Sequence, residues 1–265
     1  MYARSPSPRN VVAVLIATTA ALIGRAWLQV ELVADGMPRD YAADLAYLVV
    51  PPILLLLLFP VLHMDRPFLA AQFAIRDLSP RLVVRALLAG VALRALWWAK
   101  TTAGVSFGFY RNDDPMAVEG PAFAFDCGTP QAVLLGLVVM SMMVPLIEEI
   151  THRAYVQTSL RRYGWLVAIP CSATAFAVFH PPSSWEFVFF GGLVLGAQYW
   201  LTGSLWSSLI THATVNGLIQ FDWRCLNTQW NPRPEDLPLW YPGIVACVIA
   251  VACLCMLYAL MRPEK

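Results

Sequence analysis

Residues 144–155 read Val-Pro-Leu-Ile-Glu-Glu-Ile-Thr-His-Arg-Ala-Tyr, and they set two carboxylates and an arginine behind an apolar run that begins near Ala132. One charge at the centre of a bilayer costs about 2.5–3.5 kcal/mol. Three such groups must therefore be paired, protonated or turned toward a wet cavity. Glu149 and Arg153 lie at i and i+4 on one helix face, so they can pair. Glu148 lies about 100° round the helix and is not committed to that pair.

The whole chain has the composition of a membrane protein. Of its 265 residues, 58% are hydrophobic and 13% are charged, and the mean hydropathy is +0.60. A soluble domain of this size could not bury so much apolar surface in its core. The net charge of +1 creates no global field that attracts nucleic acid, so we expect the lipid bilayer and no nucleic acid as a partner.

Eight apolar segments can be drawn, on the basis that a membrane helix needs roughly 20 residues. We predict an all-α fold, a polytopic membrane bundle of about eight transmembrane helices that forms a single integral membrane domain over residues 1–265. Its catalytic core spans residues 130–221. The predicted segments are 11–33, 42–62, 82–104, 131–160, 165–180, 185–202, 204–221 and 241–261.

Arginine and lysine are divided unevenly between the two sets of loops. Ten of them flank one side of the predicted bundle and five flank the other, which is also rich in Asp and Glu. Because basic residues favour the cytoplasmic side, we predict that both termini are cytoplasmic. Arginine outnumbers lysine sixteen to two, a bias that suggests a bacterial inner or plasma membrane.

Two further polar motifs interrupt apolar segments. Phe176 and His180 share a helix face at the end of the fifth segment, and His212 and Asn216 share a face within the seventh. A single membrane histidine is more often a hydrogen-bonding packing residue than a catalyst. Three polar motifs in sequence, each made of adjacent residues or of an i, i+4 pair, indicate a common site instead.

These residues can fill the roles of a hydrolase that activates water. Glu148 can act as the general base, and His180 can hold and polarise the attacking water. His212 and Asn216 can donate hydrogen bonds to the oxyanion that develops during attack on an amide. No serine or cysteine nucleophile is required.

The motif set Glu148-Glu149-x-x-x-Arg153, Phe176-x-x-x-His180 and His212-x-x-x-Asn216 resembles the signature of the CPBP family, which includes CAAX prenyl proteases of the Ras-converting-enzyme type. The resemblance covers roughly residues 130–221. It implies an eight-helix membrane bundle and an intramembrane endopeptidase. It also implies that Glu148, His180, His212 and Asn216 are catalytic, and that Glu149 and Arg153 support them.

Two positions depart from the bacterial pattern of that family. His152 stands where an aromatic residue usually precedes the arginine, and Ala154 stands where a glycine usually follows it. His152 lies at i+4 from Glu148, so it either tunes that carboxylate or faces a neighbouring helix, and we favour the second.

The metal requirement is open at this point. Glu148, His180 and His212, with His152, are side chains that zinc accepts as ligands. No H-E-x-x-H or paired H-x-x-x-H motif is present. We favour a glutamic mechanism without a cofactor over a zinc metalloprotease.

Other functions also fit buried Glu, His and Arg. A proton-coupled membrane transporter uses the same residue types, although no repeat relates the two halves of this chain. A non-catalytic scaffold or immunity protein could retain the motifs for folding. For the endopeptidase, the expected substrate is a peptide or protein with a membrane-proximal cleavage site, either membrane-associated or exported.

Cys127 and Cys225 lie in loops on the predicted non-cytoplasmic side, where they could pair if that side is oxidising.

Overall fold

The computed structural model describes residues 6–37, 39–106, 130–219 and 240–261, and within these ranges it contains helices and no strand. The predicted all-α fold class is therefore confirmed. Cys127 and Cys225, with the pairing predicted for them, lie outside the described residues. The helices are α1 Pro8–Ala34, α2 Arg39–Leu57, α3 Phe59–Met64, α4 Arg66–Gln72, α5 Pro80–Ser106, α6 (130–163), α7 Trp165–Val178, α8 Trp185–Thr202, α9 Leu205–Ile219 and α10 Trp240–Met261.

Helix α6 carries the first motif and contains two π-helical stretches. Their wider turns shift the backbone hydrogen bonds by one residue, a feature often found at functional sites. Pro145, which has no N–H to donate, is the second residue after the first stretch. In chain order its segments are α-helical Pro130–Val138, π-helical Val139–Met143, α-helical Val144–Glu149, π-helical Ile150–Gln157, α-helical Thr158–Leu160 and 3-10 helical Arg161–Tyr163.

Each of the eight predicted segments contains a helix, but a count of eight membrane crossings is not established. By length and apolar composition, three helices of the described chain qualify as spans, namely Pro8–Ala34, Pro80–Lys100 and Leu134–Tyr163. Three shorter apolar helices are Tyr41–Leu57, Trp165–Val178 and Ile244–Leu257. Helices such as α7, with 14 residues, are shorter than the roughly 20 residues that cross a bilayer core.

The distribution of polarity is the reverse of that in a soluble protein. Large apolar side chains point outward, and Leu57 and Leu201 are 73% and 83% exposed. Polar groups lie inside, where Glu149 and Arg153 are both 0% exposed. This pattern fits a chain whose outer surface faces lipid and whose polar groups are satisfied within the bundle.

Helix α6 lies among α1, α2, α7 and α9, and α5 packs against both α9 and α10. Two glycines with positive φ allow the tight connections that this packing needs. Gly164 (φ 84°) separates α6 from α7, and Gly203 (φ 67°) ends α8 before α9 begins. These connections bring all three motif-bearing helices to one place.

Helices α5 and α9 approach so closely that one glycine has no room for a side chain. A Cβ atom on Gly90 would lie 2.6 Å from Thr214 Cβ and 2.8 Å from the Thr211 carbonyl oxygen. A hydrogen bond also links α9 to α5, because Thr211 Oγ1 donates to the Ala86 carbonyl at 2.9 Å. Helix α9, with the third motif, is thereby fixed against α5.

Replacing Gly90 by alanine should force α5 and α9 apart. We expect Gly90→Ala to lower the free energy of unfolding by about 1–3 kcal/mol, the usual cost of overpacking. The matched control is Gly191→Ala, because a Cβ there meets nothing within 4 Å. Thermal unfolding in detergent should show a lower midpoint for Gly90→Ala alone; equal midpoints for the two variants would contradict the close approach.

Candidate active site

The charged pair predicted within α6 forms and is fully buried. Arg153 Nε lies 3.3 Å from Glu149 Oε2, and both side chains are 0% exposed. The guanidinium also lies 4.5 Å from the centre of the Phe176 ring, and Nη2 donates to the Gly192 carbonyl at 3.4 Å. The pair therefore links α6 to α7 and α8 without exposing either charge to lipid.

Helix α8 comes close enough for these contacts because it presents glycines one helical turn apart. A Cβ on Gly192 would lie 3.1 Å from Ala173 Cα, and one on Gly196 would lie 3.0 Å from Gln157 Oε1. The two glycine carbonyls accept hydrogen bonds from Arg153 and Gln157, at 3.4 and 2.8 Å. Small residues thus let polar side chains of α6 reach the backbone of α8.

His212 forms a hydrogen bond with Glu149, the carboxylate that also pairs with Arg153. Its Nδ1 lies 2.9 Å from Glu149 Oε1, and a carboxylate can only accept, so Nδ1 carries a proton. This contact fixes the orientation of the ring and turns Nε2 toward Glu148, whose Oε2 lies 3.4 Å away. Glu149 therefore holds both Arg153 and His212.

His180 is held in the same way by a backbone acceptor. Its Nδ1 donates to the Phe176 carbonyl at 2.8 Å, which leaves Nε2 to face Glu148 Oε1 at 3.8 Å. The carboxylate of Glu148 thus stands between two imidazole Nε2 atoms, one from α9 and one from the end of α7. Both separations exceed a normal hydrogen bond, and a water molecule beside them can bond to both the carboxylate and a ring.

These groups line a cavity of about 270 Å³ whose other walls are mainly apolar. The four residues predicted to be catalytic, Glu148, His180, His212 and Asn216, all line it. Glu148 keeps 13% of its side chain exposed and His180 keeps 25%, so both remain accessible from the cavity. Glu149 and Arg153, which we predicted as supporting residues, are not among the residues that line the cavity.

Asn216 is anchored to the first π-helical stretch of α6. Its Nδ2 donates to the Met140 carbonyl at 3.0 Å. An amide nitrogen carries two N–H groups, so this contact leaves one for another acceptor. The π-helical stretch Val139–Met143 therefore helps to hold Asn216 in place at the cavity.

Of the two orientations considered from the sequence, His152 takes the one that we favoured and faces the neighbouring helix. Its Nδ1 donates to the Glu148 backbone carbonyl at 2.9 Å, and its ring meets Phe176 and Phe179 of the neighbouring segment edge-on, at 5.1 and 5.3 Å between centroids. The contact with Glu148 is to the backbone and not to the carboxylate. His152 is thus positioned to fix the backbone that carries Glu148.

Two residues near Glu148 were not predicted as part of the site. Tyr47 lines the main cavity from α2, and Arg25 lines a smaller cavity from α1 that also touches Glu148. In the sequence, Arg25 is a charged residue within an apolar segment, which is unusual enough to be noticed. Its position relative to Glu148 depends on how α1 packs and could not be predicted. Tyr47 gave no signal, because aromatic residues are common in membrane helices.

The suggested metal ligands have the right chemistry but not a compact arrangement. His180 and His212 each offer Nε2 while Nδ1 is held by an acceptor, which is how zinc-binding histidines are usually oriented. Among the described residues, however, no three His, Cys, Asp or Glu side chains lie close enough together to hold an ion as they stand. Two ligands of a tetrahedral zinc lie about 3.3–3.4 Å apart, so Glu148 and His180, at 3.8 Å, would need only a small shift to share an ion.

Comparison with known proteins identifies the family of this segment. Residues 130–218 match the family model described as type II CAAX prenyl endopeptidase Rce1-like. The match covers 89 of the 265 residues, from 130 to 218 inclusive, and contains all three motifs. It confirms the resemblance to the CPBP family over this part of the chain, and together with the apolar helices it indicates an integral membrane protein. No curated protein and no solved structure matches the chain.

The buried pair predicts an unusual pattern of stability. Arg153→Met removes the guanidinium from Glu149, which still contacts His212, and Glu149→Leu leaves Arg153 without its carboxylate, so each should cost about 3–5 kcal/mol of unfolding free energy. The double variant removes both charges and should be more stable than either single variant. Unfolding of the four proteins in the same detergent measures the coupling. Strictly additive losses would show that the two charges do not depend on each other.

Proposed function

We propose that this protein is an intramembrane endopeptidase that hydrolyses a peptide bond near the membrane surface with water activated by Glu148 and His180. The supporting observation is the position of the Glu148 carboxylate between two oriented imidazoles in a mainly apolar cavity. Water that enters this cavity finds a base and a hydrogen-bond partner at one point. The family match supports the class of reaction.

In the attack step, water donates one hydrogen bond to Glu148 and a second to the lone pair of His180 Nε2. As the water oxygen bonds to the peptide carbonyl carbon, its proton passes to Glu148. The same carboxyl group then returns that proton to the amine that leaves when the C–N bond breaks. The products are a carboxylic acid, which keeps the second proton of the water, and an amine, so atoms and charge balance; the two then ionise in water to a carboxylate and an ammonium group.

The carbonyl oxygen becomes negative during the attack and needs donors. Asn216 has one amide N–H beyond the one that contacts Met140, and His212 in its doubly protonated form can donate through Nε2 while Nδ1 remains on Glu149. Fixed donors of this kind typically contribute a factor of about 10²–10³ to kcat. The anchoring of both residues means that little reorganisation accompanies the reaction.

A zinc enzyme is the alternative within the same proposal. Glu148, His180 and His212 would hold the metal, which would polarise the carbonyl and acidify bound water. We favour the glutamic mechanism, because the sequence has no H-E-x-x-H or paired H-x-x-x-H motif. The peptide class remains broad: a peptide leader, a bacteriocin-type precursor or the C-terminal sorting tail of an exported protein.

The reaction class and the metal requirement can be tested together. Purified wild-type protein should cleave membrane-inserted candidate peptides, and Glu148→Gln should reduce kcat by at least about 10³-fold, since it removes the base while preserving shape. Glu31→Gln is the matched control, because Glu31 lies in α1 on the exposed surface, away from the cavity. Its activity should equal that of the wild type.

A chelator added to the same assay separates the two mechanisms. Unchanged cleavage supports the glutamic mechanism, whereas cleavage that is lost and then restored by zinc supports the metalloprotease. Full activity in Glu148→Gln would contradict both. Normal biological function of that variant without any measurable cleavage would favour a scaffold.

We also propose a bacterial plasma membrane location with both termini in the cytoplasm, which puts the mouth of the cavity on the opposite face. Pro181 and Ser184, which follow α7, line the cavity together with Ile219 at the end of α9. By the loop-charge argument, these helix ends belong to the non-cytoplasmic side. Substrates of exported or surface-associated proteins would then have direct access.

Cysteine labelling in intact cells tests this orientation. A membrane-impermeant maleimide should label Glu186→Cys, near the cavity mouth, without permeabilisation. Arg162→Cys, in the last turn of α6, should react only after permeabilisation. The wild-type chain gives the background from its own six cysteines. Reversed labelling of the two variants would place the cavity mouth in the cytoplasm.

A further inference from the structure

A second cavity, of about 40 Å³, lies between α1, α2 and α6. Glu148, Val144 and Tyr47 line both this cavity and the larger one, so they form the wall between the two. The smaller cavity is otherwise bounded by apolar side chains, by Arg25 and His152, and by Thr18, whose hydroxyl is hydrogen-bonded to Thr151 at 3.3 Å. Glu148 is therefore contacted from the side opposite the proposed substrate.

Besides Glu148 Oε2, two polar atoms of the side chains that line this cavity have no hydrogen-bond partner among the described residues. They are Arg25 Nε and His152 Nε2, and the His152 side chain is almost completely buried, with 1% of the residue exposed. Arg25 otherwise donates to Gln29 Oε1 at 3.2 Å and lies over the Tyr47 ring at 4.5 Å. Buried polar atoms without partners are rare in native proteins and often mark an ordered water molecule.

The chemistry of the two atoms identifies what can satisfy them. His152 Nδ1 contacts a carbonyl oxygen and so carries the proton, which makes Nε2 an acceptor. Arg25 Nε–H is a donor, and the Glu148 carboxylate is an acceptor. The occupant must accept one hydrogen bond and donate two. An anion cannot donate and is repelled by Glu148, and a metal cation is repelled by Arg25.

We propose that this cavity is a hydration site whose water is held by Arg25 and His152 and touches Glu148 from behind. A water molecule needs roughly 10–15 Å³ and two to four polar partners, and the cavity provides both. His152 then acts twice on the proposed base: through Nδ1 on the Glu148 backbone carbonyl, and through Nε2 and water on its carboxyl group. It is a positioning residue, and the kinetic part of this inference rests on the proposed function.

Substitutions of His152 separate its two contacts. His152→Gln retains a polar group at the position of Nε2, His152→Asn retains one at the position of Nδ1, and His152→Phe retains only a ring. If water at Nε2 positions Glu148, kcat should stay near the wild-type value in the Gln variant and fall about tenfold in the Asn and Phe variants, as expected for one lost hydrogen bond. KM should not change, because His152 does not line the larger cavity.

A structure of the full-length protein, at a resolution that shows ordered water, tests occupancy without relying on activity. Density within hydrogen-bonding distance of both His152 Nε2 and Arg25 Nε in the wild type, lost in Arg25→Met, supports the proposal. A dry cavity overturns it even if the wild type cleaves peptides, as does an Asn variant that is more active than the Gln variant. Bound water in a protein that cleaves nothing would instead refute the proposed function alone.

Discussion

The ion pair between Glu149 and Arg153 is the constraint on which the rest of the site depends. Neither side chain has any exposure to solvent or lipid, so removing one partner would leave a bare charge inside the bundle. Three other helices contact the pair and stabilise it: Arg153 lies against the Phe176 ring of α7 and the Gly192 carbonyl of α8, and Glu149 binds His212 of α9. The cost of burying charge thus holds four helices in a definite arrangement.

That arrangement determines what Glu148 can do. Glu149 is engaged by Arg153 and His212, whereas the adjacent carboxylate of Glu148 faces the Nε2 atoms of two histidines, at 3.4 and 3.8 Å. Each histidine is fixed from its other side, by Glu149 or by the Phe176 carbonyl. The proposed chemistry arises from this division between one structural carboxylate and one reactive carboxylate on the same helix.

Much of this was predictable from the sequence, because i, i+4 spacing has a direct meaning in a helix. The Glu149–Arg153 pair and the convergence of three motifs needed only helical periodicity and the cost of charge in lipid. The π-helical stretches, the contact of Asn216 with Met140 and the cavity beside Arg25 depend on how helices distant in sequence pack, which no local pattern encodes. The number of membrane crossings was also not fixed by hydropathy, because short helices such as α7 satisfy the apolar pattern without the length of a span.

The most direct test of the central claim is a structure of the wild-type protein in a lipid nanodisc with a peptide phosphinate, which imitates the tetrahedral intermediate. If Glu148 and His180 activate the water, one phosphinate oxygen should lie between these two side chains. The other phosphinate oxygen should contact Asn216 and His212. A phosphinate bound away from Glu148, or a Glu148 carboxylate far from both histidine rings, would contradict it.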